Sequence, residues 1–226
     1  MKGRLRAPFA VSSYKGGVPV PAKDSATLVI VPPRIFSVDI TIQGTSPLIT
    51  HKFSERAIDA MLAKQQKLAA KPREAKEPQQ DFEESIYRTE SGEPGFPALG
   101  INRCMVNAAR FVDGLKMTVL RGAIQIPADT VLPVIGDGPH MRRDMVRLQG
   151  GVADVRFRAQ WQTGWQITVP VRFNAGVLSV DQVVNLLNVG GFGVGVGEWR
   201  PERNGDFGRF EVVSVANLTD QTRRVA

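Results

Sequence analysis

Residues 153–174 read ADVRFRAQWQTGWQITVPVRFN, and the reading of the whole chain starts there. Ala153, Val155, Phe157, Ala159 and Trp161 alternate with Asp154, Arg156, Arg158 and Gln160. After Gln162-Thr163-Gly164, a second set (Trp165, Ile167, Val169, Val171, Phe173) alternates with Gln166, Thr168, Pro170, Arg172 and Asn174. A period of two puts one set on a buried face and the other outside. Two such runs across a three-residue turn containing glycine predict a β-hairpin. Pro170 has no N–H to donate, which points to an edge position or a bulge.

The flanks extend the pattern. Phe36, Val38, Ile40 and Ile42 alternate with polar residues, a strand over 36–43 ended by Gly44 and Pro47. Ile101, Cys104, Met105, Ala108, Phe111 and Val112 fall at helical spacing over 97–113, and Gly114 stops that helix. Ser179 and Gln182 stand at capping-box spacing before Val183, Val184, Leu186 and Leu187, a helix over 179–189 that Gly190 ends. A last strand covers 208–215. In order these give β-α-β-β-α-β, a ferredoxin-like α+β arrangement with both helices on one sheet face. A helix over 54–69, capped by Ser54 and carrying Ile58, Met61, Leu62 and Leu68 on one face, and a strand over 116–126 are insertions. Residues 70–95, with Pro72, Pro78, Gly92, Pro94 and Gly95, read as a long loop, and 127–151 as irregular. The expected organisation is a basic N-terminal arm over 1–33 and a single domain over 34–216 with an insertion at about 54–96. A tail follows over 217–226. Only Thr27–Val31 in the arm looks like a strand.

Composition bounds the function. The 226 residues carry 29 Lys and Arg against 22 Asp and Glu, a net +7. Residues 70–95 hold seven acids and four bases, a net −3, which leaves +10 for the rest. Such a surplus attracts polyanions, nucleic acid foremost. No apolar run approaches the ~18–20 residues of a membrane span. No apolar core follows the basic start, so no secretory signal is expected. The single Cys104 excludes an internal disulfide and a Cys-rich zinc site, and only His51 and His140 remain for imidazole ligation. No metal or other cofactor is implied, and the chain reads as a soluble protein of a reducing compartment.

The hairpin's outer face is expected to show Arg156, Arg158, Gln166, Thr168 and Arg172. Guanidinium forks suit phosphate oxygens. The aromatics Phe157, Trp161, Trp165 and Phe173 fall on the buried register, so this platform would bind by charge rather than stacking, with weak sequence preference. The plain alternative is a solvated face. Gly190, Gly191, Gly193, Gly195 and Gly197 form a second feature: glycine at alternate positions lets another backbone, a helix or a phosphate approach closely. The alternative is a packing role. A P-loop is excluded by the lack of Gly-Lys-Ser/Thr, and a dinucleotide fingerprint by position, since the segment follows a helix. Trp199 and Arg200 could stack on a base and clamp a phosphate, or pack the loop.

A ferredoxin-like order with a glycine-rich loop between the second helix and the last strand, followed by Gly205-Asp206-Phe207-Gly208-Arg209-Phe210, resembles the RAMP superfamily. That superfamily includes the backbone and crRNA-processing subunits of CRISPR effector complexes. The likeness covers about 34–216 by topology and about 25 residues by motif. It implies binding of single-stranded RNA, or DNA, along the loop and sheet face. It also implies head-to-tail self-assembly, other effector-complex subunits as partners, and a cytoplasmic setting. Gly-Glu-Trp-Arg-Pro with a following Gly-Arg-Phe is also similar to phage-encoded proteins. The expected contacts are Arg156, Arg158, Arg172, Arg200 and Arg209 for phosphate, Gly191, Gly193, Gly195 and Gly197 for close approach, and Trp199 for stacking. The processing nucleases of that superfamily use histidine as acid or base. On that analogy His51, and less so His140, is a catalytic candidate for metal-free RNA cleavage. A third class is a self-assembling structural protein without nucleic acid. Asp39, Asp144 and Asp154 are scattered and suggest no site, and Cys104 reads as a core thiol.

Overall fold

The computed structural model describes residues 30–68, 75–147 and 150–222. The chain divides into Met1–Pro32 and Pro33–Ala226, and every regular element described lies in the second unit. The expected arm and its strand therefore fall almost wholly outside the described residues.

The central sheet holds β1 (Ile35–Gly44), β5 (Ile124–Gln125), β9 (Gln166–Asn174) and β10 (Phe210–Asp220), all neighbours antiparallel, in the order β10-β1-β9-β5. Last, first, third, second is the order of a ferredoxin-like β-α-β-β-α-β unit. The helix α3 (Ala98–Ala108) connects first to second strand and α5 (Val180–Gly193) third to fourth. Val38, Ile40, Ile42, Ile167, Val169 and Val171 form the inner face under these helices, each no more than 1% exposed. The fold class stands, but the second strand is β5, two residues long, and not 153–161.

The hairpin does not form. The strand β8 (Ala153–Trp161) lies in another sheet, between β2 (Leu48–Thr50) and β7 (His140–Arg147). The connecting residues bond outward: the Gln162 N–H donates to the Asp137 carbonyl (3.0 Å) and the Gly164 N–H to the Gly44 carbonyl (2.9 Å). Trp165 explains the break. Its ring occupies the space a Cβ would take at Gly44, and its Nε1–H donates to the Ser46 carbonyl (2.8 Å). That docks β9 beside β1, while Trp161, equally buried, anchors the end of β8. Alternation fixes which face of a strand is buried, not which strand pairs with it.

Four further expectations change. The supposed loop contains α2 (Pro78–Glu84), with Phe82 buried, then β3 (Tyr87–Arg88) and β4 (Pro94–Pro97). β4 joins β3 to β6 (Val131–Pro133) in a third sheet. Most of 116–126 is the helix α4 (Met117–Ala123), burying Leu120 and Ala123 three residues apart. Residues 140–147, expected to be irregular from the prolines and glycines around them, form β7 (His140–Arg147), in which only Asp144 is buried. Finally, Ser54 does cap α1 (Glu55–Gln65), accepting from the Ala57 N–H (3.2 Å), but Ile58, Met61, Leu62 and Leu68 remain exposed.

Candidate nucleic-acid interface

β2 ends at Thr50, and α1 begins after Ser54. Between them the Lys52 N–H donates to the Ser85 carbonyl (2.9 Å), so His51, Lys52 and Phe53 sit on a short segment fixed at both ends. The loop after α5 is fastened to the same strand, the Glu198 N–H donating to the Ile49 carbonyl (2.8 Å), and to the segment before β10, the Val196 N–H donating to the Gly208 carbonyl (2.9 Å). Gly197, at φ +77°, lies so close that a Cβ would stand 2.4 Å from the Ile49 oxygen.

Two clefts open here. One, of about 370 Å³, lies between α3 and the loop and includes Arg103, Gly195, Gly197 and Glu198. The other, of about 410 Å³, lies between the start of α1 and β8 and includes Lys52, Phe53 and Arg156. His51 lines both.

Of the six cations lining the two clefts, Arg56, Lys76 and Arg200 are already paired. Arg56 meets Asp81 (3.0 Å) and Glu84 (3.1 Å), and Lys76 meets Asp154 (2.7 Å). Among the described residues Lys52, Arg103 and Arg156 form no ion pair. Burial, and then the charges of Arg158 and Arg156, hold the His51 imidazole below its ordinary pKa of 6.5. It is therefore neutral at pH 7, and its Nδ1 is buried without a hydrogen-bond partner.

The expected contact residues divide sharply. Arg156 lines the second cleft. Arg158 is only 2% exposed, paired with Asp144 (3.3 Å) and Glu198 (3.8 Å), with its guanidinium 4.6 Å from the Trp199 ring centre; it is not on an open face. Trp199 is covered by Arg158 and by Arg142 at 5.3 Å, so it fastens the loop to the β7–β8 sheet. Arg172 is on the central sheet, apart from the β8 arginines, and donates to Gln125 (3.1 Å). Arg200 is taken up by Glu202 (2.9 and 3.1 Å) and the Gly197 carbonyl (3.1 Å). Arg209 is held by Asp206 (2.5 Å) and the Phe192 carbonyl. Gly190, Gly191 and Gly193 belong to α5, which runs on past Gly190, and their missing side chains admit Cys104, Phe210 and Phe111. The packing alternative thus accounts for the glycines, and only Gly195 and Gly197 border a cleft.

Lys52, Phe53 and Arg103 were not singled out in the sequence. The available signal was a Lys-Phe pair directly after His51 at a helix cap; Arg103 had none beyond lying on the polar side of α3. His140 is exposed and bonds Asp137 (2.8 Å) away from both clefts. Burial pushes the Cys104 thiol up to about 12, so it is inert. Among the described residues no group of three or more His, Cys, Asp or Glu could hold a metal ion, and no helix is long and apolar enough to cross a membrane.

No family model and no curated protein matches the sequence. In structure the chain is similar to a chain of the type III-B Cmr-beta, solved by cryo-EM bound to cognate target RNA. The TM-score is 0.49 at 10% identity over 83% of this chain, which spans 61% of that chain's length. It is also similar to Cmr6 from Pyrococcus furiosus, with a TM-score of 0.44 at 10% identity over 80% of this chain and 98% of that one. The ferredoxin-like assignment rests on the chain's own strand order.

Proposed function

We propose that this chain binds single-stranded RNA through the two clefts that meet at His51. The observation that carries the proposal is the set of three unpaired cations, Lys52, Arg103 and Arg156, bracketing a neutral imidazole along one groove, where neighbouring charges are neutralised internally. Free cations in a groove release counterions on meeting phosphates, whereas Arg158, Arg200 and Arg209 would first have to break bonds. The net charge of +7 acts in the same direction. RNA is placed ahead of DNA by the RAMP resemblance.

Fluorescence anisotropy against single-stranded RNA, single-stranded DNA and duplex DNA across a salt series tests this. Arg103→Ala with Arg156→Ala should weaken binding and flatten the salt slope by about 0.7 per lost phosphate contact. Arg200→Ala should leave the slope unchanged. Failure to bind any of the three at low salt overturns the proposal and favours a structural, self-assembling role.

Self-assembly along the strand is part of the same reading. β7 and β10 are edge strands of different sheets among the described residues, and a contact between unlike edges is heterologous, extending into a filament unless its rotation closes a ring. Complex size by light scattering should grow with RNA length.

His51 supports a second reading, metal-free RNA cleavage, because a neutral imidazole that lines both clefts can accept a 2′-hydroxyl proton. Tyr87 lines the same cleft as a candidate acid. Cleavage that persists in EDTA and is lost in His51→Ala would establish it; intact RNA after prolonged incubation would remove it.

A further inference from the structure

We propose that the second cleft is a single-nucleotide subsite, in which one base of a bound strand stacks on Phe53 while the adjoining phosphate is held by Lys52 and Arg156. This rests on the RNA-binding reading above and adds to it a contact that is not electrostatic.

Phe53 lines this cleft beside Lys52 and His51. It is 61% exposed, although large aromatic residues contribute most when buried. Its backbone is nevertheless held on both sides, since the Lys52 N–H donates to the Ser85 carbonyl and Ser54 caps α1. A preorganised ring loses little freedom when a ligand settles on it. The ring meets His51 edge-on, with centroids 6.4 Å apart, and most of its surface stays open.

The surroundings suit a nucleotide. At about 410 Å³ the cleft falls within the ~300–1,000 Å³ range of small-ligand pockets. Its carboxylates, Asp81, Glu84 and Asp154, are already matched by Arg56 and Lys76. They therefore repel a strand weakly and remain acceptors for the amino group of a base. Lys52 and Arg156 have no ion pair among the described residues, which leaves both for a phosphate. Trp199, the aromatic that the sequence singled out for stacking, is covered by two arginines. Phe53 is the exposed phenylalanine of the second cleft, where a base can reach it.

The test compares Phe53→Ala with the full-length wild-type chain on two short single-stranded RNAs, one intact and one abasic. Phe53→Ala should weaken binding of the intact strand by about 5- to 150-fold, the range for removing one aromatic stack. The slope against salt should stay the same, because no charge is lost. The abasic strand should bind both proteins alike, and Phe53→Trp should restore the affinity. RNA carrying 5-iodouridine should cross-link to Phe53 on irradiation. Equal affinity of wild type and Phe53→Ala for the intact strand overturns the subsite while RNA binding stands. An equal loss on the abasic strand also overturns it, as that is a structural effect. If the wild-type chain binds no RNA at low salt, both readings fall together.

Discussion

Arg158 faces Asp144 at 3.3 Å, Glu198 at 3.8 Å and the Trp199 ring at 4.6 Å, with almost no contact with water. A guanidinium so placed depends on its partners, because an unpaired buried charge is far costlier than a pair. Asp144→Ala should lower unfolding free energy by about 3–5 kcal/mol, read by urea denaturation. Arg158→Met with Asp144→Leu should cost less than that single change; the reverse ranking would show that the charges add net stability. His51 gives a second test. Its folded pKa lies below 6.5, from burial first and then Arg158 and Arg156. Below pH 6.5 the unfolded chain binds a proton that the folded chain refuses, so stability is lost as pH falls toward the folded pKa. His51→Gln removes that contribution, and its fall in Tm between pH 7 and pH 5 should be smaller than the wild type's.

At the scale of elements, α5 and β10 are in backbone contact. A Cβ at Gly191 would stand 2.0 Å from the Phe210 carbonyl oxygen, and the Phe210 ring continues the contact edge-on to Trp165 at 6.4 Å. Gly191→Ala should therefore destabilise by at least the ~1–3 kcal/mol of an overpacked core, by thermal or urea unfolding. Gly122, in α4, has no atom within 4 Å of an added Cβ, so Gly122→Ala should gain up to about 1 kcal/mol of helix propensity. Equal effects of the two would contradict this account of the glycine-rich helix end. α1 shows the limit of helical periodicity: its apolar stripe is real, yet Ile58, Met61 and Leu62 remain 44–49% exposed.

At the scale of the whole molecule, three sheets differ in cover. β1 and β9 are interior to the central sheet with one face fully buried, whereas β7 is an edge strand with mostly exposed side chains. Hydrogen exchange should be slowest in β1 and β9 and faster in the exposed edge strands β7 and β10. Protection of β7 equal to that of β1 would mean that a neighbour covers this edge in solution. The basic character, the strands at 36–43 and 165–174, the buried register of Trp161 and Trp165, and the Ser54 and Ser179 caps are legible in the residues alone. These are local properties of period, composition and hydrogen-bonding side chains. Only the tertiary structure decided that 153–161 leaves its sequence neighbour for another sheet and that a two-residue strand takes its place in the ferredoxin-like order. It also decided that the glycines serve packing, and that Arg156 is free while Arg158, Arg200 and Arg209 are not. Strand pairing and charge pairing are set by residues distant in sequence: Gly44 makes room for Trp165, and Asp144, Glu202 and Asp206 claim the arginines.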